Sequence, residues 1–322
     1  MKKSNMLNAD IISNKREMST QMQNKREMST RINNGIFHTV NYLANFIFAF
    51  LCAYPFLYIF FVSISDVKAV QRGEVIFWPV KVTLYYYTQV FRVNGLVTAF
   101  FISVSRSVLG TLIQLFFTTM LAYAITKKEF KLRKVYYRLT ISTMYFGAGI
   151  IPYVLTMSAL GLRNNFLLYI LPSAVNPFGV VLIKTYFEQL PQEIEESAIA
   201  DGAGYLTVLA KIIVPISKPV IATLAIFCAV GQWNTFMDNF LLVQKPELTT
   251  LQYLLWQFMQ AASGIANSIR SNPNFSLLNI TPPNPFTFKC AISIITIIPI
   301  LCVYPFLQRH FAGGIMIGAV KG

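Results

Sequence analysis

Ionisable side chains are scarce in this 322-residue sequence, in which only 12% of the residues are charged. The two histidines, His38 and His310, stand at opposite ends of the chain, and the four cysteines lie within or beside apolar runs. A phosphate-binding loop of the type GxxxxGKS/T is absent. The sequence therefore predicts no catalytic residues, no metal site, no disulfide framework and no cofactor bound by this chain.

Apolar residues, in contrast, are abundant. They make up 55% of the chain, and the mean hydropathy of +0.52 lies outside the usual range of a soluble domain. About 20 helical residues cross a bilayer core, and in lipid such runs must be helical because open strands leave backbone groups unpaired. We therefore predict an all-α membrane protein. Its six transmembrane helices are expected at Phe37–Ser63, Leu96–Thr126, Leu139–Leu160, Phe166–Phe187, Pro219–Leu242 and Phe286–Leu307.

The distribution of Lys and Arg predicts the orientation of these spans. With the N-terminus inside, the inner segments hold 17 basic residues and the outer segments hold eight. Cytoplasmic loops carry the excess of basic residues, so both termini are predicted to be cytoplasmic. This asymmetry, together with attraction to anionic lipid, accounts for the net charge of +14. We infer no nucleic-acid site from it.

The parts outside the spans differ in character. Residues 1–36 are polar, lack the pattern of a cleavable signal and contain NKREMST twice, which favours a disordered cytoplasmic tail over a docking motif. The transmembrane domain is expected to cover residues 37–322, with an external loop at about 243–285. The tail at 308–322 alternates glycines with apolar residues from His310 onward, so we expect it to be too flexible for a stable free helix. We expect it to dock in a groove at the cytoplasmic face.

The cytoplasmic loop at about 188–218 is acidic and punctuated by glycine. Pro191 followed by three glutamates suits the first turn of a helix, and Gly202 and Gly204 should end that helix. A second helical segment is expected over Tyr205–Ile213, after which Pro215 turns the chain into the fifth span. We predict a helix-turn-helix across the inner face of the bundle. We expect Leu206, Leu209 and Ile213 to lie on one face of its second helix.

This loop carries a motif. The order Glu196-Ser197-Ala198, three residues, Gly202, nine residues and an apolar stretch ending at Pro215 resembles the EAA motif of ABC-importer permeases. The resemblance implies that the loop couples the permease to an ATPase, against the simpler interpretation of solvated charges and a glycine C-cap. The residues it assigns to coupling are Glu195, Glu196, Ser197, Ala198, Asp201, Gly202 and Ala203.

Other segments extend the resemblance from about residue 38 onward. The stretch from SRSVLG to KLRK, the fifth-span GQWNTF and the ending QRHFAGGIMIGAVKG are similar to carbohydrate permeases of the maltose-transporter, oligosaccharide-importing type. The resemblance implies a multi-pass protein of the bacterial cytoplasmic membrane that imports an oligosaccharide. The implied partners are a second permease subunit, two ATPase subunits that bind ATP and Mg, and an external solute-binding protein. The tail would dock against the ATPase pair.

Two sets of polar residues lie within the predicted spans. The fifth span contains Gln232, Trp233, Asn234, Asp238 and Asn239, which either line a sugar pathway, join helices or sit near the outer interface. Arg106, in the second span, either snorkels or pairs with an acid such as Asp238, or it faces the pathway and binds a carboxylate or sulfate of an acidic oligosaccharide.

Two alternative functions remain open at this stage. An ion-gradient-driven secondary transporter would need an inverted repeat or buried ionisable groups near the midplane, and no repeat relates the two halves. A membrane assembly protein without transport activity would not need the register of the EAA-like motif. Copurification distinguishes these possibilities, because only the ABC importer requires a stable ATPase partner.

Overall fold

The computed structural model describes residues 37–92, 94–260 and 285–314, with the side chains of residue 285 and residues 303–314 excepted. Across these ranges the chain is helical and contains no β-strand. The polar tail at 1–36, most of the predicted external loop and residues 315–322 lie outside the described part. The chain divides into two units, residues 1–58 and 59–322.

Short breaks separate the helical elements. They are three short 3-10 turns, at Phe166–Tyr169, Leu171–Ser173 and Pro246–Leu248, and one π-helical turn at Leu209–Ile213. The helices are α1 (Phe37–Ser63), α2 (Val67–Gln71), α3 (Tyr85–Phe91), α4 (Leu96–Thr126), α5 (Arg133–Tyr145), α6 (Ile150–Ala159), α7 (Pro177–Phe187), α8 (Gln192–Ala200), α9 (Tyr205–Val208), α10 (Val214–Ile216), α11 (Lys218–Asn234), α12 (Met237–Leu242), α13 (251–260) and α14 (Pro285–Gly314).

The first two predicted spans are confirmed as continuous helices long and apolar enough to cross a membrane, α1 and α4. Up to four spans are present if each of two bent helix pairs counts as one: the 3-10 turns with α7, bent by 44°, and Tyr205–Ile216 with α11, bent by 85°.

The prediction of one uninterrupted helix over Leu139–Leu160 is wrong. The chain leaves the helical conformation between α5 and α6, where Gly149 adopts a φ of +80° that favours glycine. The predicted fifth span is also interrupted, because Thr235 is extended and separates α11 from α12. Conversely, α14 continues past Leu307, the predicted end of the sixth span, and reaches Gly314.

The predicted helix-turn-helix at the cytoplasmic loop is present. Helix α8 ends at Ala200, and Gly202 follows with a φ of +86° before α9 begins. The second half runs through the π-helical turn into α10, and Leu209 and Ile213 are buried. Leu206 is 68% exposed, which contradicts the predicted face. Val208 is fully buried in the core beside Leu209 and Ile213.

Helices α4, α7 and α11 form the centre of the second unit. Their contact is close at Gly179 of α7, where an added Cβ would lie 2.7 Å from the Cδ2 atom of Leu224 on α11 and 3.0 Å from the Cγ2 atom of Thr118 on α4. An apolar cluster around Ala122, Val180 and Leu224 includes Val208, Leu209 and Ile213 of the cytoplasmic loop. The loop is therefore anchored in the same core as the long helices.

Candidate functional site

A cavity of about 570 Å³ lies among α4, α6, α11, α12 and the 3-10 turns that precede α7. Its walls combine apolar side chains such as Phe227 and Leu241 with polar groups. Ligand cavities commonly have this mixed lining, because apolar surface supplies contact area and a few polar groups fix orientation. The polar and aromatic lining consists of Arg106, Gln114, Tyr153, Tyr169, Ser173, Asn176, Gln232, Thr235 and Asp238.

Arg106 is the most constrained of these residues and only 3% exposed. Its Nη2 donates to Asp238 Oδ2 at 2.6 Å, and its Nη1 donates to Asp238 Oδ1 at 3.2 Å and to the Thr235 carbonyl at 2.9 Å. Its Nε donates to Gln232 Oε1 at 3.1 Å. These four hydrogen bonds use most of the five N–H groups of a guanidinium.

Two further contacts extend this network. The Arg106 guanidinium lies 4.7 Å from the ring centroid of Tyr169, within the range of a cation–π interaction. Gln232 Nε2 donates to Ser173 Oγ at 2.6 Å. The Arg106 network therefore joins α4, both sides of the break between α11 and α12, and the turn before α7. Burial of a charge pair is tolerated when hydrogen bonds satisfy its remaining polar atoms, as they do here.

The sequence left open whether Arg106 pairs with an acid such as Asp238 or faces a pathway, and the structure shows the pairing. Arg106 pairs with Asp238 in bidentate geometry, and both residues line the cavity together with Gln232. Because the planar fork of Arg106 is occupied by Asp238, it is not free to bind a second carboxylate in this conformation.

The other predicted pathway residues do not line this cavity. Trp233 faces a separate apolar cluster, where its Nε1 donates to the Thr296 carbonyl at 3.1 Å and its ring meets Phe100 edge to face. Asn239 is fully buried and accepts from the Thr250 amide at 2.7 Å. Asn234 is exposed and accepts from Gln252 at 3.0 Å. These contacts match the helix-joining alternative for Trp233 and Asn239.

Sequence reasoning missed several cavity residues. Tyr153, Tyr169 and Ser173 lie in segments that were predicted as plain apolar spans, and Gln114 and Asn176 are isolated polar residues within such segments. Only the fold brings them together. Polar residues at membrane depth were the one signal that could have identified Gln114.

The cytoplasmic loop presents a different kind of surface. Glu196, Ser197, Asp201 and Gly202 are exposed, whereas Ala198 and Ala203 are half-buried and joined by a hydrogen bond from the Ala203 amide to the Ala198 carbonyl at 3.0 Å. This bond and the left-handed conformation of Gly202 form a tight C-terminal cap on α8. The C-cap interpretation is therefore correct as a description of Gly202, and it leaves the outer side of the turn open to a partner.

Glu195 points away from this exposed surface. Its Oε1 accepts from Tyr123 Oη at 2.8 Å, and its Oε2 forms an ion pair with Lys127. Both partners lie at the C-terminal end of α4, Tyr123 in its last turn and Lys127 at its C-cap. The ammonium group of Lys127 also lies 4.0 Å from the ring centroid of Tyr123. Of the residues assigned to coupling, Glu195 is thus in contact with a long helix of its own chain.

Known transport proteins resemble this chain in sequence and in fold. No protein-family profile matches the chain. It is 40% identical over 269 residues to Protein LplC of Bacillus subtilis, covering 83% of this chain and 89% of that protein. It is 33% identical over 291 residues to the polygalacturonan/rhamnogalacturonan transport system permease protein YtcP of the same organism, covering 90% of this chain and all of the relative.

A solved structure also matches. It is a chain of a bacterial ABC transporter involved in the import of the acidic polysaccharide alginate. The TM-score is 0.75 at 32% sequence identity, and the match covers 86% of this chain and 96% of the solved one. The relatives are therefore matched along most of their length.

Proposed function

Because this chain belongs to the carbohydrate permeases of ABC importers, we propose that it forms one half of the translocation pathway for an oligosaccharide. The observation that carries this proposal is the agreement between family membership and a cavity lined by aromatic and amide side chains. Aromatic faces suit the C–H surface of a sugar, and amides suit its hydroxyl groups. In this proposal the chain itself forms part of a transport pathway and catalyses no reaction.

We propose an acidic oligosaccharide as the substrate class. Two relatives support this choice by their own substrates, a polygalacturonan and rhamnogalacturonan permease and an alginate importer. A short oligogalacturonate is a suitable acidic probe. The neutral oligogalactoside of equal length is its matched control, because the two differ only in the carboxylates.

The proposed topology has six membrane crossings with both termini in the cytoplasm. Long helices α1 and α4, the two bent pairs and the excess of basic residues in the inner segments support it. In this arrangement the loop at 188–218 faces the cytoplasm. The break between α11 and α12 then lies at membrane depth, where irregular backbone is tolerated if it lines a cavity or is buried in protein.

The proposed partners are a second permease subunit, two ATPase subunits and an external solute-binding protein. ATP and Mg would be bound by the ATPase subunits. The exposed side of the α8 turn, with Glu196, Ser197, Asp201 and Gly202, offers the docking surface for an ATPase. Ile199 and Leu206 add exposed apolar area beside it. The C-terminal segment from residue 308 is proposed to contact the ATPase pair.

Copurification from native membranes tests this proposal. A tagged copy of the chain, extracted in mild detergent, should retain one second permease and two ATPase subunits. The solute-binding protein should add to that complex when the acidic probe is present. A chain that purifies alone and takes up the probe in response to an ion gradient would be a secondary transporter, and the proposal would be wrong.

A further inference from the structure

We infer that Glu195 is a positioning residue that ties coupling helix α8 to the long helix α4, so that movement of α8 by an ATPase is passed to the cavity. This inference rests on the proposed function, since it assumes that an ATPase moves α8. It assigns to Tyr123 and Lys127 a role in coupling that the motif of the loop does not contain.

The contacts define a three-residue clamp, which we call the Glu195 clamp: Glu195, Tyr123 and Lys127. Both carboxylate oxygens of Glu195 are used, one by the Tyr123 hydroxyl at 2.8 Å and the other by the Lys127 ammonium. Tyr123 is only 5% exposed and also packs edge to face against Phe187 of α7. The side chains of Lys127 and Glu195 are 17% and 18% exposed.

This burial separates the Glu195 clamp from an ordinary surface ion pair. Exposed pairs contribute little, because water screens them and two long side chains must be ordered. Glu195 is instead held by a nearly buried hydroxyl group whose ring is fixed in the core. The pair Arg72 and Glu74 shows the contrast within this chain, with a separation of 3.6 Å and side chains 71% and 46% exposed.

The Glu195 clamp joins α8 to a rigid element that reaches the cavity. Helix α4 is continuous over 31 residues, and Tyr123 lies 17 positions after Arg106. At a rise of about 1.5 Å per residue, the two side chains are separated by about 25 Å along the helix axis. A displacement of α8 is therefore delivered to the helix that carries the Arg106 network.

The second half of the cytoplasmic loop has its own attachment. Val208, Leu209 and Ile213 are buried in the core formed by α4, α7 and α11. Loss of the Glu195 clamp should therefore leave the loop folded and docked through these apolar residues. What changes is the connection of α8 to α4.

Glu195→Gln and Tyr123→Phe in the assembled complex test the inference, with Glu193→Gln as the matched control on the same helix. Glu193 is exposed and forms no ion pair within the part of the chain that the structure describes. We expect Glu195→Gln to preserve assembly and basal ATP hydrolysis while the amount of probe transported per ATP falls at least about fivefold, the lower end of typical coupling effects. Tyr123→Phe should give the same direction of change, because it removes one hydrogen bond and keeps the ring.

The double variant and a charge exchange sharpen the result. Glu195→Ala combined with Tyr123→Phe should be no worse than Glu195→Ala alone, since Glu195→Ala already removes the acceptor of the Tyr123 hydroxyl. Lys127→Glu combined with Glu195→Lys should recover part of the coupling ratio. Recovery would exclude a general loss of structure as the cause.

Amide hydrogen exchange in the full chain provides a readout that does not depend on transport. Glu195→Gln should speed exchange at residues 192–200 and leave residues 208–213 protected. Unchanged exchange, or a coupling ratio equal to that of Glu193→Gln, would overturn the inference. If the unmodified complex shows no ATP-driven uptake, the proposed function fails instead, and faster exchange at α8 in the variant would still identify the Glu195 clamp.

Discussion

Arg106 and Asp238 are 132 positions apart, yet each is buried against the other. Both stand out in the sequence, because charged side chains are rare within apolar spans. Pairing of the two was one of several alternatives for Arg106, since the sequence does not show which helices are in contact. Gln232 was predicted as a polar residue of the same span as Asp238, but Ser173 and Tyr169 depend on a turn that hydropathy does not reveal.

Removing one charge of the Arg106–Asp238 pair should destabilise the protein more than removing both charges. Asp238→Asn leaves a buried guanidinium without its counterion, which typically costs about 3–5 kcal/mol. The double change Arg106→Gln with Asp238→Asn replaces two charges by amides and should recover a large part of this loss. Thermal unfolding of the purified complex measures both variants. Glu74→Gln, which removes an exposed pair, should have no effect; a double variant as unstable as Asp238→Asn would contradict the account.

Arg106→Gln should lower uptake of acidic and neutral oligosaccharides to the same extent. The guanidinium fork is already occupied by Asp238, so Arg106 organises the cavity wall instead of binding a sugar carboxylate directly. Uptake of the oligogalacturonate and of its neutral counterpart in reconstituted vesicles measures the ratio. A loss confined to the acidic probe would show that Arg106 recognises the carboxylate, contrary to this expectation.

Gly202→Val should uncouple ATP hydrolysis from transport. Gly202 has a φ of +86°, and a β-branched side chain strains that conformation although the space around it is open. Gly204 is a matched control, because it also has open space but a φ of −73° that valine adopts readily. Substrate-stimulated ATPase activity should fall for Gly202→Val and persist for Gly204→Val. Equal behaviour of the two variants would remove the geometric argument for the turn.

At the scale of whole elements, hydropathy predicted which segments are helical better than it predicted where a helix is interrupted. Helix α4 has the predicted bounds, Leu96–Thr126, because a long apolar run without glycine pairs or proline has no reason to break. The third predicted span fails at FGAG, residues 146–149, and the fifth at Thr235, because averaging over apolar residues conceals local backbone preferences. Such breaks are decided by a few residues and by the cavity beside them.

The crossing of α4, α7 and α11 depends on a small residue at one position. Gly179→Ala would place a methyl group 2.7 Å from Leu224, which is fully buried, so overpacking should cost about 1–3 kcal/mol. Gly231→Ala, in α11, meets nothing within 4 Å and should leave stability unchanged or slightly raised. The unfolding temperatures of the two variants test this difference. Comparable values would show that the three helices are not tightly packed at Gly179.

For the whole molecule, the distribution of basic residues and the EAA-like motif predicted the type of transporter, which composition alone did not. Composition established a helical membrane protein, and the EAA-like register, in a loop between two predicted spans, pointed to an ABC importer. Family membership is confirmed by relatives matched over most of their length. The substrate could not be predicted in this way, because the cavity is assembled from α4, α6, α11, α12 and the 3-10 turns before α7, whose packing leaves no local pattern in the sequence.

Uptake by the complete complex in sealed vesicles tests the central claim most directly. Vesicles carrying the chain with its second permease and ATPase subunits would be given the solute-binding protein and labelled oligogalacturonate outside, with MgATP inside. We predict accumulation that requires ATP hydrolysis and persists when ion gradients are abolished by ionophores. Accumulation driven by an ion gradient without ATP, or no accumulation of any oligosaccharide by an assembled and ATPase-active complex, would contradict the account.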